Sequence, residues 1–405
     1  MRIAVVGAGA AGLMAAATAA KTADVVLYEK NQKVGKKIYI TGKGRCNVTN
    51  MCEPSEFLEN VVNGKKFMHG AIYAFPPQKT ILFLENNGVE TKVERGNRVF
   101  PQSDKSSDVI KALKRAIDRE GVHVYFEQVL KIKREDDCFV VDTDISAEKF
   151  DKVILACGGV SYPATGSTGD GYRFARSFGH KIVTPRAALV PILLKNSVSA
   201  LEGLSLKNVT ATVFVSGKSF SEFGEMLFTD KGVSGPIILS LSSLINKFDL
   251  KSAKLSIDLK PALSHEKLDV RLLSDFEKYK NKQFKNALGD LLPAKLIDYF
   301  VGYTKINQNK SVNSITKAER KTIVESMKSL DFDIASLDKT ELGIVTAGGV
   351  DLCEVNPKTM ESKLVKGLYF AGEMLDVDAM TGGFNLQIAF ATGYVAGLHA
   401  GEQLW

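Results

Sequence analysis

Gly7, Gly9 and Gly12 stand at GxGxxG spacing, and Glu29 closes the next apolar run. Glycine at the first position permits a tight turn. At the second it lets backbone N–H groups approach a pyrophosphate, and at the third it lets a helix pack closely on a strand. A carboxylate at the end of the following strand accepts hydrogen bonds from an adenosine ribose and disfavours a 2′-phosphate. The pattern predicts a tightly held dinucleotide, FAD or NAD rather than NADP.

Such chemistry needs elements that hold these residues in place. Residues 3–6 form a short apolar run that reads as a buried parallel strand. The Ala-rich stretch after them reads as a helix whose N-terminus faces negative charge. Residues 24–28 supply the second strand. The loop 34–50, VGKKIYITGKGRCNVTN, is rich in glycine and polar groups and suits wrapping of a ligand. Residues 107–120 are amphipathic, with Val109, Ile110, Leu113, Ala116 and Ile117 on one side. Strands follow at 123–126, 138–142 and 151–156, and the last empties into Gly158 and Gly159, where a ligand can approach backbone.

The pattern changes near 185–191. Residues 208–215 and 253–259 alternate as short strands of a barrel or sandwich. Residues 264–330 read as charged amphipathic helices, with Thr316 and Glu319 at capping-box spacing. Strand-like sequence resumes at 343–350, and 367–393 reads as part of the first domain returning to complete its site. The expected fold class is α/β: a Rossmann-like nucleotide domain (1–188 and 352–405) interrupted by a β-barrel-like unit (189–262 and 336–351), itself interrupted by helices (263–335).

A chain of 405 residues exceeds the size at which one core keeps growing. Apolar and charged fractions of 45% and 24% describe a soluble protein. Arg2, Lys21, Asp24 and Glu29 bracket short apolar runs, so no export or membrane-spanning segment is read and a cytoplasmic location is expected. The five cysteines form no regular framework. Cys46 and Cys52 are spaced C-x5-C, with Thr49, Asn50 and Pro54 interrupting any helix that would bring the thiols together. Cys138 and Cys157 read as small buried hydrophobes. His123 falls in a strand, and His69, His180, His265 and His399 fall in polar or helix-end contexts that suggest exposure or capping. Their spacing with acids predicts no metal site. The formal charge of +7 could attract a polyanion, but a modest lysine excess reads as solubility rather than nucleic-acid binding.

Five segments together resemble the HI0933-like, or YhiN-like and BaiN-like, NAD(P)/FAD-dependent oxidoreductases among the two-dinucleotide-binding-domain flavoproteins. They are VGAGAAGLMAA with Glu29, GKGRCNVTN at 42–50, RVFPQSDKSSDV at 98–109, ILACGGVSYPATGSTGDGY at 154–172 and GLYFAGEMLDVDAMTGGFNLQIAFATG at 367–393. The resemblance covers essentially the whole chain. It implies extended FAD in a Rossmann-like domain, an inserted β-barrel and a helical insert similar to helix-two-turn-helix nucleic-acid modules. By that resemblance Gly7, Gly9, Ala10, Ala11 and Gly12 lie on the pyrophosphate and Glu29 on the ribose. Arg45, Cys46 and Asn47 lie near the pyrophosphate and flavin, Val129 near the adenine, and Gly158 at the adenosine end. Gly372 and Glu373 belong to the phosphate and ribityl region, and Thr381, Gly382, Gly383, Asn385 and Leu386 to the turn and helix start beneath the isoalloxazine. Lys30, Lys37 and Gly44 complete the expected cofactor set.

The implied reaction is hydride transfer at the flavin, with a small organic molecule as substrate. A single GxGxxG unit leaves NAD(P)H to react transiently from a surface beside the flavin. Tyr162, Asp376 and Asp378 are the candidate proton donors, though each could instead be a supporting hydrogen-bond group. Lys33, Lys36, Lys37, Lys43 and Arg45 could guide an anionic substrate. Two alternatives stay open: a flavoprotein that acts on or is recruited by RNA, and a non-enzymatic FAD-binding scaffold.

Overall fold

The run Arg2–Val6 is buried from its second residue on, so it sits where a strand is covered on both faces. In the computed structural model, which describes residues 1–402, it is the centre of a five-stranded parallel sheet. The order is Leu368–Phe370, Lys152–Leu155, Arg2–Val6, Asp24–Tyr28, His123–Tyr125. Val6 lies in register with both Leu155 and Tyr28. The carboxyl edge of the sheet therefore presents Gly7, Glu29, Ala156 and Ala371 side by side, the edge at which parallel sheets take ligands.

Two buried helices cover the sheet. Ala10–Ala19 is buried at every position, as its small residues allow. The closing helix Phe384–Gly401 packs along it through glycines. A Cβ at Gly393 would stand 2.4 Å from the Ala11 carbonyl oxygen, and one at Gly397 the same distance from that of Ala15. A Cβ at Gly401 would stand 3.3 Å from that of Ala19. The numbers rise together, so the two helices run parallel with both N-termini toward the same end. The closing helix begins about 12 Å beyond the first, at about 1.5 Å per residue.

Contacts divide the chain into Met1–Ala188 with the segment from Lys339 onward, and Leu189–Asp338. Each unit has its own apolar core. The second contains a closed antiparallel barrel of Ile192–Leu194, Gly232–Ser234, Lys218–Thr229, Ser205–Val215, Lys254–Asp258 and Leu330–Leu337. Between its last two strands lie the helices His265–Lys278, Ala294–Thr304 and Lys317–Lys328. The last begins with the expected capping box: Glu319 N–H donates to Thr316 Oγ1 and Thr316 N–H to Glu319.

Two boundaries differ from the sequence reading. The final barrel strand is Leu330–Leu337, which the reading had mostly assigned to the helical insert. Its alternation, with Leu330, Phe332 and Ile334 buried, is that of a strand with one covered face. The segment 339–351, assigned to the barrel, belongs to the first unit. Val345–Val350 pairs antiparallel with Ile182–Ala188, and Gly348 and Gly349 let it press on the Thr184 and Met374 carbonyl oxygens, 2.5 and 2.4 Å from where a Cβ would stand. No described helix is long and apolar enough to cross a membrane.

Candidate cofactor and active site

The three glycines of the first turn perform different tasks. Gly7 has φ +103°, and a Cβ there would stand 2.6 Å from the Ala156 carbonyl oxygen. At Gly12 a Cβ would meet the Gly7 carbonyl oxygen at 1.8 Å, so only glycine lets this helix sit so close to its strand. A Cβ at Gly9 would have nothing within 4 Å. Gly9 is the N-cap of Ala10–Ala19, and no side chain caps that helix or places an acid in its first turn. The helix start thus keeps its N–H groups and positive end for something else. Ala11 serves packing, with its Cβ against Gly372 and its carbonyl against Gly393.

Glu29 is buried at the end of Asp24–Tyr28. Its Oε2 accepts from Ala8 N–H at 3.0 Å, and its Oε1 accepts from the Asn31 backbone N–H at 2.8 Å and side-chain amide at 2.6 Å. These bonds hold the carboxylate beside the glycine turn. Lys30 reaches across to Thr168 and to Asp170, 2.6 Å away, at the start of Asp170–Ser177. Val129 is buried at the head of the antiparallel strand Val129–Glu135.

The closing helix has the second free start. Its N-cap Gly383 has φ +99° and offers no side-chain cap. A Cβ there would fall 2.4 Å from the Thr49 carbonyl oxygen and 2.9 Å from Asn47 Oδ1. That Asn47 oxygen is shielded from water and has no hydrogen-bond partner, so an acceptor waits at this helix start for a donor that the protein does not supply. Asn385, expected at the isoalloxazine, also holds the turn. Its Oδ1 accepts from Ala379 N–H at 3.0 Å, and its amide donates to the Ala379 and Met380 carbonyls. Leu386 packs partly into the core. Thr381 and Gly382 are half-buried in the turn, where the Gly382 carbonyl accepts from Asn50.

Arg45 is bound to acids of the protein, and Cys46 is enclosed by it. The Arg45 guanidinium binds Asp104 at 2.6 and 2.9 Å, pairs with Glu94 and lies over the Phe100 ring. Its donors are largely spent on that surface cluster. Cys46 is fully buried, and burial pushes its thiol up to about 12. Cys52 is pushed up to about 11 by burial and nearby Glu56 and Glu53. Both are free thiols. Neither is a ready nucleophile or redox thiolate at neutral pH. Gly44 turns the same loop with φ +85°.

Sequence reasoning missed a partly buried polar network. Lys37 and Glu373, both expected near the cofactor, are ion-paired at 2.7 Å, with Lys37 also donating to Ser161 at 2.5 Å. Glu373 accepts in addition from Ser161 Oγ and Thr346 N–H, each at 2.8 Å. Burial would raise this carboxyl, but Lys37, Ser161 and Thr346 outweigh it and hold it below the usual carboxylate range. Thr346 Oγ1 accepts from Val160 and Ser161 N–H groups, fixing the loop after Gly158. Gln387 likewise ties Thr49, Thr80 and the Phe75 carbonyl together inside the first unit. A Thr or Gln inside an apolar run is the signal that could have exposed both. Gly372 donates to Thr392 at 2.9 Å.

His180, expected at an exposed or capping position, is buried. Its Nδ1 lies 3.0 Å from Glu354 and its Nε2 2.8 Å from Ser362. Burial lowers its pKa against the pull of Glu354. Of the candidate proton donors, Tyr162 is half-buried with φ +51°, a conformation that costs an aromatic residue and persists only where surroundings impose it. Its N–H donates to the Glu341 carbonyl. Asp378 is buried in a strand paired with Val61–Asn63, and Asp376 is half-buried beside it.

A parallel sheet, a glycine turn with a free helix start and a carboxylate at the next strand end define the class: a Rossmann-fold flavoprotein of the oxidoreductase type. Residues 1–399 match the family described as HI0933-like protein Rossmann domain, and the chain belongs to that family. Among relatives, the 3-dehydro-bile acid delta(4,6)-reductase of Clostridium scindens is 33% identical, with 99% of each chain covered. The ribosomal RNA dihydrouridine synthase of Haemophilus influenzae is 31% identical, with 98% of each covered. Among solved structures, 3-ketosteroid delta1-dehydrogenase from Sterolibacterium denitrificans shares the fold, with TM-score 0.53 and 12% identity over 98% of this chain and 99% of that one. FAD fits the residues present. The open side at Gly9, the uncapped helix starts and the unpartnered Asn47 oxygen are what a pyrophosphate and a flavin imide would fill.

Proposed function

We propose that this chain binds FAD and reduces a carbon–carbon double bond conjugated with a carbonyl in a small organic molecule, with NAD(P)H as electron donor. The observation that carries the reading is the pair of parallel, uncapped helix starts, Ala10 and Phe384, roughly 12 Å apart along their common direction. One suits a pyrophosphate and the other the charge that a reduced flavin acquires. The relatives' names narrow the chemistry. One describes reduction of delta(4,6) unsaturation in a 3-dehydro compound, and the other the making of dihydrouridine, which is uridine with its ring double bond saturated. Both add two hydrogens across a double bond conjugated with a carbonyl.

FAD, when bound, supplies a two-electron carrier able to give hydride. The protein's part is to seat the cofactor and deliver a proton to the carbon beside the one reduced. Glu29 would hold the ribose, the Gly9 turn the pyrophosphate, and Asn47 with the Phe384 helix start the flavin ring. Tyr162 is the proton donor we favour, because its phenol makes no hydrogen bond among the described residues and its backbone is held in a costly conformation. Lys37 and Glu373 keep the loop that carries it in place through Ser161.

The test is the visible spectrum of the purified protein, followed by anaerobic titration with NADH and NADPH and mixing of the bleached protein with 2-cyclohexen-1-one or cyclohexanone. Flavin bands that bleach with one nucleotide and return with the enone alone are expected. Tyr162→Phe should slow that return roughly 100-fold and leave bleaching unchanged. A protein that takes up no flavin when FAD is added would overturn the reading. A second reading, reduction of uridine in RNA, is favoured by the Haemophilus influenzae relative and the net charge of +7. Against it, basic residues of the helical segment alternate with acids in pairs: Arg271–Asp275, Lys278–Asp290, Lys310–Glu319 and Arg320–Asp269. Reoxidation by a uridine-containing oligonucleotide and not by the enone would decide for RNA.

A further inference from the structure

Arg186 lies in Ile182–Ala188, opposite Ala347 of Val345–Val350. The next residue of the partner strand is Thr346, whose backbone N–H is bonded to Glu373 and whose hydroxyl holds the loop leading to Tyr162. Arg186 is half-buried, and its Nε is shielded from water without a hydrogen-bond partner. No ion pair joins it to a carboxylate among the described residues, whereas Arg2, Arg45, Arg271 and Arg320 each have one. A shielded guanidinium donor left unsatisfied costs free energy, and what restores it is an oxyanion received in the fork of two N–H groups. A neutral carbonyl would satisfy the donor but leave the charge uncompensated.

The surroundings say what kind of molecule carries that oxyanion. The turn Thr340–Leu342 packs against the Arg186 strand, and a Cβ at Gly343 would stand 3.1 Å from the Ala188 carbonyl oxygen. In this segment Leu342 is 53% and Ile344 39% exposed, so large apolar side chains lie open to solvent on the turn that packs against the strand of this unpaired guanidinium. Tyr162 N–H is bonded to Glu341 in the same segment. We propose that Arg186 binds the carboxylate of a substrate whose body is apolar, with Leu342 and Ile344 packing against that body. This names the substrate class of the site proposed above and rests on that reading for its place in catalysis.

The experiment is titration calorimetry of the FAD-loaded protein with 2-naphthoate, with the uncharged 2-naphthamide, and with adenosine 2′-monophosphate as the phosphate arm. Binding of 2-naphthoate should exceed that of 2-naphthamide on the order of tenfold. Arg186→Gln should erase the difference while its flavin absorbance per chain stays that of the parent. Leu342→Ser gives an independent check, weakening both naphthyl probes alike and keeping their ratio. Equal binding of the two naphthyl probes, or a preference that survives Arg186→Gln, would overturn the proposal. So would tighter Arg186-dependent binding of the nucleotide, which would assign the guanidinium to a phosphate. An enone that fails to reoxidise the flavin while the carboxylate preference persists would remove the functional reading and leave this one standing.

Discussion

At the scale of single residues, the glycine turn separates two properties usually confounded, fold and cofactor affinity. A methyl at Gly12 collides with the Gly7 carbonyl oxygen at 1.8 Å, whereas one at Gly9 meets nothing of the protein within 4 Å. Gly12→Ala should therefore lose about 1–3 kcal/mol or more of stability, measured by denaturant unfolding of the flavin-free protein. Gly9→Ala should unfold like the parent and bind FAD at least about tenfold more weakly by fluorescence titration, because its methyl fills the open cradle. Glu373 offers a second test, in pH. Its folded carboxyl is held below the usual range, so its contribution is complete above the ordinary carboxylate pKa and is lost as pH falls through the depressed folded value. Glu373→Gln, which leaves Lys37 facing a neutral amide, should cost about 3 kcal/mol at pH 7. That gap should shrink in acid. A gap constant with pH would mean that packing, not charge, sets the effect.

At the scale of elements, the local signals were legible because each is a short-range necessity. Gly7, Gly9 and Gly12 fix a strand-turn-helix unit, and Thr316 with Glu319 fixes a helix start that the structure caps as expected. What was not legible depends on partners distant in sequence. Val345–Val350 could pair with a barrel strand as well as with Ile182–Ala188 on composition alone, and the choice rests on Gly348 and Gly349 fitting against Thr184 and Met374. The ion pairs of Arg45 were not legible because the carboxylates that bind it, Glu94 and Asp104, lie far from it in the chain. Parallel packing of the two buried helices is of the same kind, and it makes a prediction about sign. Helix propensity favours Ala over Gly by up to about 1 kcal/mol. Gly302→Ala, in Ala294–Thr304 with open space around it, should follow propensity and stabilise. Gly393→Ala should do the opposite by about 1–2 kcal/mol, since its methyl would stand 2.4 Å from the Ala11 carbonyl oxygen. Thermal midpoints moving in the same direction would mean that the closing helix yields to the added carbon.

At the scale of the whole molecule, all the expected cofactor residues fall in the unit made of Met1–Ala188 and the segment from Lys339 onward, although the barrel and its helices separate them in the chain. The two units hold separate apolar clusters, one drawn from residues 3–175 and 350–400 and the other from 192–334. Separate cores allow separate cooperative transitions, and a ligand that binds one native unit raises only the transition that unfolds it. Calorimetry of the flavin-free protein should then show two overlapping heat-absorption peaks. Adding FAD at about 100 times its dissociation constant should stabilise one of them by about 2.7 kcal/mol and leave the other in place. Replacing Gly9 with Ala should cut that shift to about 1.4 kcal/mol or less at the same FAD concentration and leave both peaks where they stand without FAD, because a methyl at Gly9 meets nothing of the protein within 4 Å. Movement of both peaks with FAD would mean that the cofactor is felt beyond the parallel sheet, and the barrel unit would then belong to the binding reaction as well as to the chain that interrupts it.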